Sequence, residues 1–243
     1  MFPHAIGPVS MAYEAVVFDL FGTIVPSVRE PAYRRSMTSM AGAVGVAPDD
    51  FIRLWTREDV VTRRATGGFA TIADNVCWIC GQVGVKPGRN GVSGAVAVRR
   101  EFTRGLLVPR PDAVAALAAM RVSGLSTVLM SVCSEEVPQL WPATPFAALF
   151  DAALFSCVEG LLKPDAEFYE RSAAAVGASP EECVYVGDGA RRELQGASDV
   201  GMRAVLICPP DEEDVILARE GVPSWSGLRF ESLSELPALL EPD

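Results

Sequence analysis

Short apolar runs that alternate with stretches of helical periodicity constrain this chain more than any other feature. Ala15–Phe18 is such a run, and its four apolar residues read as a strand buried on both faces. Further strands are expected at Thr127–Val132, Ala152–Phe155, Cys183–Val186 and Arg203–Cys208. Helices are expected over Asp112–Val122, Ala166–Val176 and Arg191–Val200, with a short one near Leu233–Leu240. Strand and helix in alternation predict a parallel sheet covered on both faces, a doubly wound, Rossmann-like α/β fold. The stretch between the first two strands differs. From Pro31 to about Leu107 the period is helical, broken at Gly67-Gly68 and at Lys86-Pro87-Gly88, with Phe51, Leu54 and Trp55 on one helix face and a further helix over Val96–Leu106. This predicts an α-helical cap domain of residues 26–107 inserted into a core domain of 1–25 and 108–243.

Charge divides the chain along the same line. Residues 26–108 carry 12 Lys/Arg against 7 Asp/Glu, whereas the rest carries 9 against 24. A cationic insert over an acidic core would hold an anionic substrate between them. The formal net charge of −10 argues against nucleic acid as a partner. His4 is the only histidine, which removes Ser-His-Asp and Cys-His nucleophilic machinery and nearly all His-based zinc sites.

The N-terminal residues lack the pattern of a signal peptide, Met11 is an alternative start, and no uncharged apolar run reaches the ~18 residues of a membrane span. The expectation is a cytoplasmic protein, monomer or homodimer, whose six cysteines are reduced. Cys77-Trp78-Ile79-Cys80 matches C-x-x-C, but without a second pair it reads as two buried helix cysteines. Phe51, Trp55, Phe69 and Trp78 read as cap core or cleft wall, Gly67-Gly68-Phe69 as either a substrate-facing turn or a plain interhelical loop, and Asp211–Asp214 as a solvated acidic turn or helix start.

Ligands of open α/β sheets bind beyond the carboxyl ends of the strands. Four strand ends carry chemistry there: Asp19, Ser131, Lys163 and Asp188. Val-Val-Phe-Asp-Leu-Phe-Gly-Thr, Leu-Met-Ser-Val, Gly-Leu-Leu-Lys-Pro-Asp and Val-Gly-Asp-Gly-Ala-Arg-Arg-Glu, in that order over residues 13–208, resemble the four motifs of the haloacid dehalogenase superfamily with a helical cap after the first motif. The resemblance implies Asp19 as nucleophile, Ser131 as the motif hydroxyl, Lys163 as the motif lysine, and Asp188 with Glu193 as the acidic pair. It also implies Mg²⁺ held by Asp19, the Phe21 carbonyl and Asp188, with Glu193 acting through water. Charge agrees with a cation: three carboxylates and one lysine leave −2, which would repel a phosphate, and Mg²⁺ prefers oxygen ligands. Phe21, Arg64 and Val132 are the candidate substrate contacts, and the expected substrate is a small anionic metabolite, phosphorylated.

One residue departs from the pattern. Phosphatases of the superfamily usually place a second aspartate, serving as general acid and base, two residues after the nucleophile; here that residue is Phe21, which carries no proton. General acid–base help is typically worth ~10²–10⁴-fold. An aromatic residue at this position resembles the 2-haloacid dehalogenases, whose halide leaves without a proton. That metal-free chemistry is the alternative, although it gains nothing from Asp188 and Glu193, and Val132 stands where those enzymes usually carry asparagine. Phosphonate cleavage through a cap lysine would need Lys86, the only lysine of the insert, in a Gly/Pro loop. A ligand-binding or regulatory protein on the same scaffold is the alternative outside catalysis.

Overall fold

Alternation along the first strand decides how the sheet is covered. β1 (Ala15–Phe18) is fully buried, with Val16 and Phe18 in one apolar cluster and Ala15 and Val17 in another. β2 (Ser126–Ser131), β3 (Ala152–Phe155), β4 (Cys183–Gly187), β5 (Arg203–Ile207) and β6 (Leu228–Phe230) complete a six-stranded parallel sheet in the order β3-β2-β1-β4-β5-β6. Residues of β4 and β5 divide between the same two clusters, so apolar side chains fill both faces, as a buried parallel sheet requires. The computed structural model describes residues 13–240; His4 and Met11 lie outside them.

After β1, residues 26–107 form five helices: α1 (Glu30–Val44), α2 (Pro48–Trp55), α3 (Glu58–Ala65), α4 (Ile72–Gln82) and α5 (Arg89–Leu106). Met40, Phe51, Trp55, Ile72, Val76 and Ile79 head an apolar cluster of their own. The expected breaks fall between α3 and α4 and between α4 and α5. At the first, the Thr71 hydroxyl and the Asp74 carboxylate cap α4 reciprocally. The last of these helices starts at Arg89, seven residues before the expected Val96.

Helices α6 (Ala113–Val122), α7 (Glu136–Leu140), α8 (Ser156–Glu159), α9 (Ala166–Ala174), α10 (Glu193–Asp199) and α11 (Glu213–Leu217) belong to the sheet-forming part. Some details differ from the sequence expectation. The helix expected from Arg191 starts at Glu193, because Arg191 and Arg192 hold left-handed backbone with φ of 54° and 56°. The closing segment Leu233–Leu240 is 3₁₀ rather than α, with Pro237 inside it. β6, three residues long, is too short to leave a periodic signal, and α11 begins at Glu213, inside the acidic segment expected as a turn or helix start. Cys77 is exposed on α4, so only Cys80 of that pair is buried; all six thiols are free.

The strand order also locates the crevice. From β1 the chain proceeds outward through β2 and β3, then returns to β4 on the other side of β1 and proceeds through β5 and β6. The loops leaving β1 and β4 therefore diverge, which opens a topological switch point at their carboxyl ends.

Candidate active site

Asp19 follows the last residue of β1 and Asp188 the last residue of β4, and these strands are neighbours in register (Phe18 opposite Val186). A backbone hydrogen bond from the Asp19 N–H to the Val186 carbonyl, 2.9 Å, ties the two ends together. Lys163 enters from the segment between α8 and α9. Its Nζ donates to Asp19 Oδ1 at 2.5 Å and to Glu193 Oε2 at 2.8 Å, and the side chain is almost fully buried. The Tyr185 hydroxyl donates to the same Glu193 oxygen at 2.6 Å, and the Gly189 N–H donates to Oε1 at 2.9 Å. Both oxygens of Glu193 are thus engaged.

Asp188 is different. Its Oδ1 accepts from the Ala190 N–H at 3.1 Å and pairs with Arg219, but its Oδ2 is buried without a partner. The Ser131 hydroxyl at the end of β2 is also buried and unpartnered. Buried polar atoms are rarely left so, and two at one sheet end mark a place built to receive something. One ligand atom each from Asp19, Asp188 and Glu193 lies within 4.8 Å of the others. The free Oδ2 of Asp188, beside an Asp19 Oδ2 that has only a long 3.4 Å contact from Thr23, suits an oxygen-preferring divalent cation. Glu193, with both oxygens taken, stands as a residue that orients Lys163.

The charge count shifts with the fold. Arg219, from the turn after α11, pairs with Asp188, donates to its carbonyl at 3.2 Å and to Ser27 Oγ at 3.2 Å. The site therefore carries −1, not the −2 expected from motif residues alone. Burial pushes the Asp19 carboxyl up to about 6, against the pull of Lys163, with Glu193 adding to the rise. Burial opposes the Lys163 charge, yet Asp19 and Glu193 outweigh it and hold that ammonium above its ordinary value. Burial, reinforced by Glu193, pushes the Tyr185 phenol far up, so it remains a donor.

A second buried network braces the loop after Asp19. Arg110 bonds the carbonyls of Thr23 and Gly22 at 2.9 and 3.0 Å and pairs with Glu212 at 2.8 Å, while Glu212 accepts from the Ser27 N–H. Of the acidic segment Asp211–Asp214, expected as a solvated turn or helix start, Glu212 is buried and Glu213 starts α11. At Gly22, φ is +89° and a Cβ would overlap Asp188 Oδ2. Gly22→Ala is expected to lose roughly 1–3 kcal/mol through backbone strain alone and to displace Asp188 as well. A urea unfolding midpoint equal to wild type would contradict this.

A cavity of about 420 Å³ lies over the site, within the range of small-molecule pockets. Asp19, Phe21, Lys163, Glu193, Arg64 and Val132 all border it; Ser131 and Asp188 are not in its wall. The insertion supplies Tyr33, Arg64, Arg99 and Phe102 to that wall, and Arg191 enters from the strained loop after β4. Arg64 is buried, donating to Asn75 Oδ1 at 2.8 Å and lying 4.1 Å over the Trp55 ring. The Gly67–Phe69 turn does not border the cavity: a Cβ at Gly67 would collide with the Cys157 carbonyl oxygen, so this turn is a contact with the segment after β3. Phe51, Trp55, Phe69 and Trp78 are likewise absent from the wall, and Lys86 is exposed in its loop. Arg219, Tyr185, Arg99 and Glu136 escaped the sequence reading. Only Arg99, in a basic pair on a helix of the cationic insert, left a trace in composition.

The fold and this arrangement define a doubly wound α/β protein with an ion-paired carboxylate at the end of its central strand. The family model of haloacid dehalogenase-like hydrolases matches residues 13–201, and the chain belongs to that hydrolase family. A glyceraldehyde 3-phosphate phosphatase of Methanopyrus kandleri is 27% identical over 200 residues, covering 80% of this chain and 83% of that protein. A phosphoserine phosphatase of Thermus thermophilus is 34% identical over 101 residues, 40% of this chain and 39% of that one. Among solved structures, a HAD phosphatase from Thermococcus onnurineus superposes with a TM-score of 0.64 at 18% identity, covering 93% of this chain and 97% of that one. A 2-haloacid dehalogenase from Pseudomonas syringae pv. Tomato reaches 0.66 at 20% identity, covering 94% and 98%. Similarity at this level establishes the shared fold. No helix among the described residues is long and apolar enough to cross a membrane.

Proposed function

We propose that the protein is a Mg²⁺-dependent phosphatase acting on a small phosphorylated metabolite, with residues 26–107 serving as the cap over an active site in the core. The observation that carries this reading is the unpartnered Asp188 Oδ2, buried beside Asp19. A carbon-attacking dehalogenase has no use for an acidic cluster that would repel its carboxylate substrate. Asp19, Asp188 and the Phe21 carbonyl would hold the cation, which when bound neutralises charge on the phosphoryl oxygens.

The residues of the chain divide the remaining work. An Asp19 oxygen attacks phosphorus as the bond to the leaving oxygen breaks, giving an aspartyl-phosphate and an alcohol; water then attacks that phosphorus, returning the carboxylate and releasing phosphate. Lys163 holds Asp19 in place and lends positive charge, while the Ser131 hydroxyl is free to donate to a phosphoryl oxygen. The names of the two phosphatase relatives support a phosphate monoester as substrate. The test is hydrolysis of an aryl phosphate with Mg²⁺ and with EDTA, beside a panel of 2-haloacids. Turnover of the ester that EDTA abolishes is expected; metal-independent release of halide would overturn the reading.

Phe21 leaves the departing alcohol without the usual proton donor, and the cavity wall suggests replacements. Glu30 and Tyr33, both on α1, border the same cavity as Phe21. A donor matters most for a poor leaving group. Glu30→Gln or Tyr33→Phe is therefore expected to slow an alkyl phosphate by ~10²-fold or more while slowing a nitrophenyl ester far less. Equal effects on the two esters in both variants would remove these residues from proton transfer.

A further inference from the structure

The insertion side of the cavity holds more positive charge than its own residues neutralise. Arg99 on α5 reaches across to α7, where its Nε donates to Glu136 Oε1 at 2.7 Å. The same oxygen accepts from Ser134 Oγ at 2.9 Å and Thr103 Oγ1 at 3.1 Å, and Glu136 is fully buried. Arg99 Nη1 is buried with no partner. Close by, Arg64 bonds only neutral acceptors, Asn75 Oδ1 and the Trp55 carbonyl. Burial, with Arg99 adding to it against the opposing pull of Tyr33 and Glu136, lowers the Arg64 pKa to about 10.

Two mostly buried guanidinium groups thus share one buried carboxylate. Glu30, the acidic residue that the insertion gives to this wall, is exposed, where water screens its charge. Buried charge without a partner is costly, and the arrangement lacks one anion. Phe21, Phe102, Leu106, Val132 and Val137 give the same cavity that Asp19, Arg64 and Arg99 border a large apolar share of its wall.

We infer that Arg99 and Arg64 form a second anion subsite, so that the preferred substrate is a phosphate monoester bearing a carboxylate at the other end of a short, largely apolar body. This rests on the phosphatase reading above and narrows it to a substrate class. Arg99 supplies spare N–H donors for a charge-assisted bond and Arg64 supplies the uncompensated charge, while Glu136 fixes the Arg99 fork.

The experiment uses phosphate monoesters of ω-hydroxy carboxylic acids with two to six carbons, each compared with its primary amide, so that only the distal charge changes. At the chain length that fits, the acid is expected to exceed its amide in kcat/KM by about 10- to 100-fold, as a charge-assisted bond provides. Arg99→Gln should bring that ratio to within threefold, mainly by raising KM for the acid. Because Arg99 also neutralises Glu136, the charge-balanced double variant Arg99→Gln/Glu136→Gln is measured beside it and should lose the preference equally. Wild-type ratios near one at every length, with hydrolysis intact, would overturn the inference and leave the phosphatase reading standing. A preference that survives both variants would likewise overturn it. Hydrolysis of no ester at all would overturn both.

Discussion

Asp19→Asn is expected to abolish turnover of an aryl phosphate, by at least ~10³-fold, while leaving the protein as stable as wild type or more so. The loss follows from the role of the carboxylate oxygen: an amide at the end of β1 keeps the shape but does not attack phosphorus. The gain in stability follows from burial. Asp19 titrates at about 6 in the fold against an ordinary 3.8, so the folded protein holds this proton where the unfolded chain has lost it. Stability therefore falls as pH rises from 3.8 to about 6 and stays lowered above that. A shift of this size corresponds to about 3 kcal/mol at neutral pH, in order of magnitude. Thermal unfolding of metal-free wild type and variant across that window reads it directly. The melting temperature of wild type should decline relative to the variant as pH increases. A parallel pair of curves would show that the buried charge costs nothing, and retained turnover would remove Asp19 as nucleophile.

Lys163→Met is expected to do the opposite to stability while also abolishing activity. The Lys163 ammonium bonds both Asp19 and Glu193, and its removal leaves two buried carboxylates facing one another. Breaking a buried ion pair by deleting one partner typically costs about 3–5 kcal/mol. For a chain of this size that is a fall in melting temperature of roughly 10 °C at neutral pH. Acid should return part of the loss, because a protonated carboxyl needs no counter-charge. Added Mg²⁺ should return part of it as well, through the same carboxylates. A variant with wild-type stability at neutral pH would mean that Arg219 alone sustains the acidic cluster.

The two variants separate charge from chemistry at one site. Asp19 is held at some cost so that its oxygen stays poised, whereas Lys163 makes that holding tolerable. Sites that trade stability for reactivity in this way are expected where function requires it.

How much was legible beforehand follows from the range of the interactions involved. The run Ala15–Phe18, the helical period through 31–107 and the glycine breaks are set by neighbours a few residues apart, so they show in the chain itself. Asp19, Ser131, Lys163 and Asp188 are legible because each ends or follows a recognisable strand or its loop, and parallel strands deliver their carboxyl ends to one edge. The start of α10 was misread because Glu193 and its flanking arginines fit a helix by composition, and only the backbone shows Arg191 and Arg192 turned left-handed.

Other residues had no local sign. Arg219 lies 31 positions from Asp188, and Arg99 lies 37 positions from Glu136. Glu212 stands in an acidic tetrad that reads as surface, yet it is buried against Arg110, 102 positions away. The amino-acid sequence by itself determined the doubly wound sheet, its helical insertion and the polar groups at the ends of β1, β2 and β4, because periodicity and turn chemistry act between near neighbours. Tertiary structure alone decided which charges meet, which buried oxygens stay free and what lines the cavity, because electrostatic and packing energies depend on separation in space rather than along the chain.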